Sequence, residues 1–325
     1  MTSVRNIALA LTAVAVTASA QVDPTLLGLV MPDAKVISGI RVDSAKGSQF
    51  GQYVLAHMQS DDAGLQTFIS NTGFDPRRDL NEILVATSGT SDAPSPLILG
   101  KGVFNPSQIL TAARNQGATP SSYKGFDLLS RQGTKSTDTI ALNASFALIG
   151  PADQVRAAID RLGAQPALDP AVIAKVQTTA AANDAWFVST GPITNFFTGK
   201  LSDSALGPAM QGNLFQAIQQ ASGGLKFGQS GGVLITGEAV TRSPQDATAL
   251  ADVIRFIAGL IQMNAGADPQ AQQAAAVLKD LQVTPVGSTT KLSLSLSEAF
   301  LEQMFLSGAN KSAKRARGRR AALDR

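Results

Sequence analysis

Late in the chain, Lys291-Leu-Ser-Leu-Ser-Leu-Ser297 alternates between apolar and polar residues without a fault. Side chains along a strand point to opposite faces in turn, so this run predicts a strand with one face buried and one wet. That is the habit of antiparallel sheet covered by helices mainly on one side. Further β-type runs fall at 35–42, 82–87, 97–104, 123–131, 139–149, 185–189, 225–240 and 282–286. Gly231-Gly232 and Asn143-Ala144 sit where strands would turn back as hairpins.

Between these runs, helices announce themselves by a repeated dipeptide in which a small or capping residue precedes proline. Asn105-Pro106, Gly150-Pro151, Asp169-Pro170, Ser243-Pro244 and Asp268-Pro269 all fit. The first residue accepts, or leaves room for, the free amides of the first turn, and proline's fixed φ suits the first helical position. From Leu250, apolar residues at Val253, Ile254, Ile257, Leu260 and Ile261 recur at helical spacing. Other helices are expected at 48–58, 64–71, 106–115, 151–162, 170–181, 211–221, 269–281 and 298–306, with Gly117 and Gly163 placed to stop two of them. Hairpins interleaved with helices predict an α+β fold. The order hairpin-then-helix occurs in both 123–161 and 225–261, which suggests two related halves.

The expected organisation is a signal peptide at 1–20, α+β halves at 21–165 and 166–310, and a disordered basic tail at 311–325. Arg5, the apolar run Ile7 to Val16 and the small residues Thr17-Ala18-Ser19-Ala20 form the signal pattern, with Gln21 as the new N-terminus. Export to the periplasm or the outside follows as an expectation. The run is shorter than the roughly 20 apolar residues a spanning helix needs. With no cysteine, disulfides and lipid-modified cysteine are excluded.

The formal charge of +3 conceals an asymmetry. Lys311 to Arg325 carries seven Lys/Arg and one Asp; without those residues and Arg5, the body keeps 19 basic against 23 acidic residues, a net of −4. The body therefore has no global bias toward nucleic acid. Lys311, Lys314, Arg315, Arg317, Arg319 and Arg320 are the candidate contacts to an anionic lipid or cell-wall polymer.

Motifs for catalysis lack their context. Gly228-Gln229-Ser230-Gly231-Gly232 matches GxSxG, but a β-type run follows it where the nucleophile elbow needs a helix. Ser121 to Lys124 and Ser288 to Lys291 match Ser-x-x-Lys without opening a helix and without a Lys-Thr-Gly companion. A lone histidine, His57, and no cysteine make a zinc site improbable. No phosphate-cradling glycine motif is present, so no cofactor or metal is expected. Asp75 reads as a cap and Asp79 as a partner for Arg77 or Arg78. A binding module of the cell envelope is the leading expectation, with another envelope protein or an apolar small ligand as its partner. A hydrolase working through Ser230, or through Asp75 and Asp79, is the alternative.

Three phrases, Ala34-Lys-Val-Ile-Ser-Gly-Ile-Arg-Val-Asp43, Ser48-Gln-Phe-Gly-Gln52 and Thr72-Gly-Phe-Asp-Pro-Arg-Arg-Asp-Leu-Asn-Glu-Ile-Leu-Val85, resemble exported bacterial proteins to which no activity is assigned. The resemblance extends more weakly over 237–254. It implies an α+β fold and an envelope location, and brings no catalytic residues.

Overall fold

The structure is a computed structural model and describes residues 21–58, 63–88, 96–130, 138–191, 216–228, 232–263, 266 and 269–303. In chain order, the first part runs α1 (Pro24–Gly28), β1 (Val36–Arg41), α2 (Val42–Gly47), α3 (Gln49–Met58), α4 (Ala63–Thr72) and α5 (Pro76–Asp79). It continues with β2 (Leu80–Thr87), β3 (Leu97–Gly102), α6 (Pro106–Asn115), β4 (Thr119–Tyr123), β5 (Phe126–Ser130), β6 (Asp138–Leu142), β7 (Phe146–Pro151) and α7 (Ala152–Asp160). The second part runs α8 (Pro170–Ala182), β8 (Ala185–Ser189), β9 (Ile218–Phe227) and β10 (Val233–Thr241). It ends with α9 (Pro244–Met263), α10 (Pro269–Leu278), β11 (Gln282–Val286) and β12 (Thr289–Leu296). The class is α+β with an antiparallel sheet, as the alternating run at 291–297 implies.

Among the described residues, twelve strands form one sheet in the order β11-β12-β10-β9-β8-β1-β2-β3-β7-β6-β5-β4. Read outward from the central β1–β8 pair, the two sides repeat: β1-β2-β3-β7-β6 on one, β8-β9-β10-β12-β11 on the other. The β4–β5 hairpin extends the first side only. The cap-proline dipeptides follow the same repeat. Asp23-Pro24 opens α1 before β1 and Asp169-Pro170 opens α8 before β8, each aspartate accepting first-turn amides. Asn105-Pro106 opens α6 after β3 and Ser243-Pro244 opens α9 after β10, with the cap side chain bonded three residues on at 3.2 and 3.1 Å. This pairing of β2-β3-α6 with β9-β10-α9 replaces the expected match of 123–161 with 225–261.

The main core lies on one face of the sheet. There Leu26, Leu84, Leu97, Leu99 and Leu148 are wholly buried with Val155 of α7 and Val176 of α8, each leucine stabilising the fold by roughly 1.5–3 kcal/mol. On the other face, Leu129 of β5, Leu142 of β6 and Ala147 of β7 pack under α6. A third cluster joins α9, through Leu250 and Ile254, to Ile218, Ala221 and Ala239. The halves meet where Trp186 lies on Gly39: a Cβ there would stand 2.7 Å from the indole ring, so only glycine fits. Both edge strands carry a proline, Pro120 in β4 and Pro285 in β11, which denies a further strand one ladder bond.

Several local expectations shift. Residues 218–221, read as the end of a helix, belong to β9. There Gly223 and Gly224 admit the flanking backbones of β10 and β8 so closely that an added Cβ would meet a carbonyl oxygen at 2.4 and 2.3 Å. Pairing on both sides outweighs the modest helix propensity of Gln219 and Gln220. The run 123–131 is two strands, since Lys124 and Gly125 adopt φ of 45° and 83° and turn the chain as a tight hairpin. Pro151 ends β7 and caps α7, one residue later than the dipeptide predicted. Gly117 and Gly163 take φ of 81° and 83° after α6 and α7, as helix-stopping glycines do.

Candidate functional site

On the face that holds the main core, the two halves differ. In the first half, the row crossing β2, β3, β7 and β6 is Leu84, Leu99, Leu148 and Ala141, all wholly buried. The rows crossing the corresponding strands of the second half are Ser222, Glu238, Lys291 and Thr284, and next to it Gly224, Thr236, Ser293 and Gln282. The serines of the alternating 291–297 run lie on this face and its leucines on the other.

α8 packs on β8 and β9 through Val176 and Ala180. Beside it lie two cavities of about 360 and 350 Å3. Ala171, Val172 and Lys175 of α8 line the first; Lys175, Thr178, Thr179 and Ala182 line the second. These positions share one helical face, so the cavities lie in line as a trough along the flank of α8. Lys175 and Glu238 form an ion pair between them, and Lys291 stands 3.8 Å from the same carboxylate. The hydrogen bond from Lys175, then the charges of both lysines, hold the Glu238 carboxyl below its ordinary pKa against a partial burial that works the other way. At the far end Asn183 is buried; its amide donates to the Thr179 carbonyl at 2.8 Å, and Thr236 Oγ1 donates to Asn183 Oδ1 at 3.2 Å.

A second polar feature crosses the central strands. Lys101, Glu82 and Arg41 are neighbours across β3, β2 and β1, and Arg41 Nη2 meets Asp184 Oδ1 at 2.6 Å. Asp184 is nearly closed to solvent and also accepts the Phe227 amide at 2.9 Å and Lys226 at 3.4 Å. Asp23 pairs with Lys101 and its amide donates to Glu82 at 3.3 Å. Burial raises the Glu82 pKa, aided by the negative charge of Asp23 and opposed by Lys101 and Arg41. Burial works the same way on Asp23, yet the bond from Lys101 and the amides of Leu26 and Thr25 bring its pKa below normal. Arg41, Glu82 and Lys101 border an open depression of about 410 Å3.

The residues singled out from sequence fall elsewhere. Asp75 caps α5 and takes two bonds from Arg77, and Asp79 takes two from Arg78, so both carboxyls are held below the usual pKa by their arginines. Gly228 donates to the Gly232 carbonyl at 2.8 Å at the mouth of the β9–β10 hairpin, which excludes a strand-to-helix elbow. Ser121 lies on edge strand β4 and Lys124 pairs with Asp160; Ser288 lies in the β11–β12 turn. Ser230, the His57 side chain and the tail residues Lys311, Lys314, Arg315, Arg317, Arg319 and Arg320 lie outside the described residues. Glu82, Lys175, Asp184 and Glu238 carried no motif; the Lys291–Ser297 alternation was the one signal that marked the trough's floor. Among the described residues no helix is long and apolar enough to cross a membrane, and no group of three or more His, Cys, Asp or Glu could hold a metal ion.

No protein-family model and no curated protein matches the chain. Two solved structures of the protein TP0453 are similar to it. Crystal form IV aligns at a TM-score of 0.50 with 14% identity, over 88% of this chain and 97% of that one. Crystal form I aligns at a TM-score of 0.48 with 13% identity, over 89% and 98%. At such identity the form IV likeness is one of fold.

Proposed function

We propose that the chain is an exported, non-enzymatic binding module of the cell envelope, and that its ligand lies in the trough beside α8. One observation carries this reading: strands that build a closed core in the first half present serine, threonine, lysine and glutamate to an open trough in the second. A polar floor on the core-bearing face of a sheet gives up burial energy, and ligand contact is the return that accounts for it. The charged and hydroxyl side chains of the floor favour a ligand that carries polar groups over the wholly apolar one expected from sequence. Export rests on the signal pattern of the first twenty residues.

Native mass spectrometry of the protein from its own envelope fraction tests both parts. The polypeptide mass should begin at Gln21 and carry a reproducible added mass. That added mass should vanish in Thr178→Trp, which fills the second cavity from an exposed helix position. A bare polypeptide in the wild type would count against the binding reading, and an uncleaved one against export.

A second reading, an exported hydrolase, draws its support from Glu82, a buried carboxyl with raised pKa beside an open depression. Turnover of chromogenic esters or glycosides that disappears in Glu82→Gln would favour it; no turnover by the wild type would end it.

A further inference from the structure

The trough is long and unevenly charged, which constrains its occupant. Between Ala171 and Ala182 the flank of α8 runs about 17 Å at 1.5 Å per residue. An extended peptide rising about 3.3 Å per residue covers that length with about five residues. Among the described residues no aromatic side chain lines either cavity, so these residues offer no platform for a sugar ring or base. Around the second cavity Ala182 stands among Thr178, Thr179, Thr236, Thr284 and Ser293, while Leu168, Val172, Val188 and Val240 line the first.

Its floor instead presents hydrogen-bonding side chains without internal partners. Gln282, Thr284 and Ser293 make no side-chain hydrogen bond within the described residues. Such amides and hydroxyls both donate and accept, as the alternating N–H and C=O groups of an extended backbone require. The charged lining consists of Lys35, Lys175 and Lys291 against Asp169 and Glu238. Asp169 is occupied in capping α8, and Glu238 is shared by two lysines. Lys35, at the mouth of the first cavity, has no ion-pair partner among the described residues.

We infer that the trough takes an extended acidic peptide segment of about five residues, lying along α8 with its carboxylates on Lys35 and Lys291. This rests on the trough's being the binding site. The peptide is held by side chains and not by strand addition, because β9, β10 and β12 are already paired on both edges.

Fluorescence anisotropy of the mature chain with labelled, end-capped pentapeptides tests the inference. One peptide carries three carboxylates, a second their amides and a third three amines. The acidic peptide should bind best, weaken as salt rises, and lose about tenfold in affinity for each of Lys35→Ala and Lys291→Ala. Equal binding of acidic and amide peptides, or affinity indifferent to both lysines, would overturn it. Chemical-shift mapping of the same samples, with an uncharged oligosaccharide alongside, separates the two levels. Shifts at Thr236 and Ser293 with the saccharide alone would discard the peptide and keep the trough as binding site. No shift with any probe would discard both.

Discussion

The two halves of the sheet run the same course outward from β1 and β8, yet one of their shared faces is a core and the other a trough. In the first half Leu84, Leu99, Leu148 and Ala141 lie in the main core, to which α1 and α7 contribute. In the second half the corresponding strands present Ser222, Glu238, Lys291 and Thr284 on that face, with α8 beside them. Strand order and antiparallel pairing run alike in both. What the face then does depends on one row of side chains, because period-two alternation lets that row change without touching the opposite face. The shared frame thus carries a closed core in one half and an open polar trough in the other.

Exchanging the rows breaks this comparison most directly. Leu99→Ser places the second half's chemistry in the first, leaving a cavity and an unpaired hydroxyl, and should cost about 4–6 kcal/mol in urea unfolding. The reciprocal Ser293→Leu should change stability by no more than about 0.5 kcal/mol, since its site is open. Comparable losses in both would mean that the trough is as tightly packed as the core.

The junction between the halves ranks next. Asp184→Ala leaves Arg41 partly buried and without its ion pair, and a loss of about 3–5 kcal/mol is expected from thermal or urea melts. A loss below about 1 kcal/mol would show that solvent already screens the pair.

Glu82→Gln should act in the opposite direction. With a raised pKa, the folded chain holds the Glu82 proton to higher pH than the unfolded chain does. Stability therefore falls as pH rises from the ordinary carboxylate range through the raised value, and stays lowered above it. Glutamine removes that penalty and still accepts the Asp23 amide. The variant should be more stable than wild type at neutral pH, with the gain vanishing on acidification below the ordinary range. A gain that persists at low pH would assign the effect to packing.

Glu238→Gln should also change stability little, by under about 1 kcal/mol, because the ion pair with Lys175 is about one-third exposed. Glu238 has a lowered pKa, so what it contributes is present above the ordinary carboxylate range and fades as pH falls through the lowered value. Its removal frees two lysines and should tighten binding of the acidic peptide. Weaker binding would give Glu238 a direct role in holding ligand.

Much of the helical framework was legible in advance. Asn105-Pro106 and Ser243-Pro244 start helices wherever they occur, because capping is a matter of a few adjacent atoms. The same signal at Asp23-Pro24 and Asp75-Pro76 opens α1 and α5, short helices that periodicity alone does not reveal. Residues 218–221 look helical in isolation but form strand, because β9 takes its conformation from β8 and β10 and its two glycines answer to those backbones. The site was half legible. The Lys291–Ser297 run announced a wet face, but Lys175 and Glu238 stand 63 positions apart and neither carries a motif.

Taken alone, then, the sequence determined the α+β class, the antiparallel sheet, the chain's freedom from disulfides and most helix starts, since these follow from periodicity, composition and contacts within a few residues. Tertiary structure decided that two halves share one continuous sheet, that Gly39 must accommodate Trp186, and that the wet face of β12 forms the floor of a trough beside α8. Those features depend on which distant strands lie side by side, and that choice is made by the packing of the whole sheet.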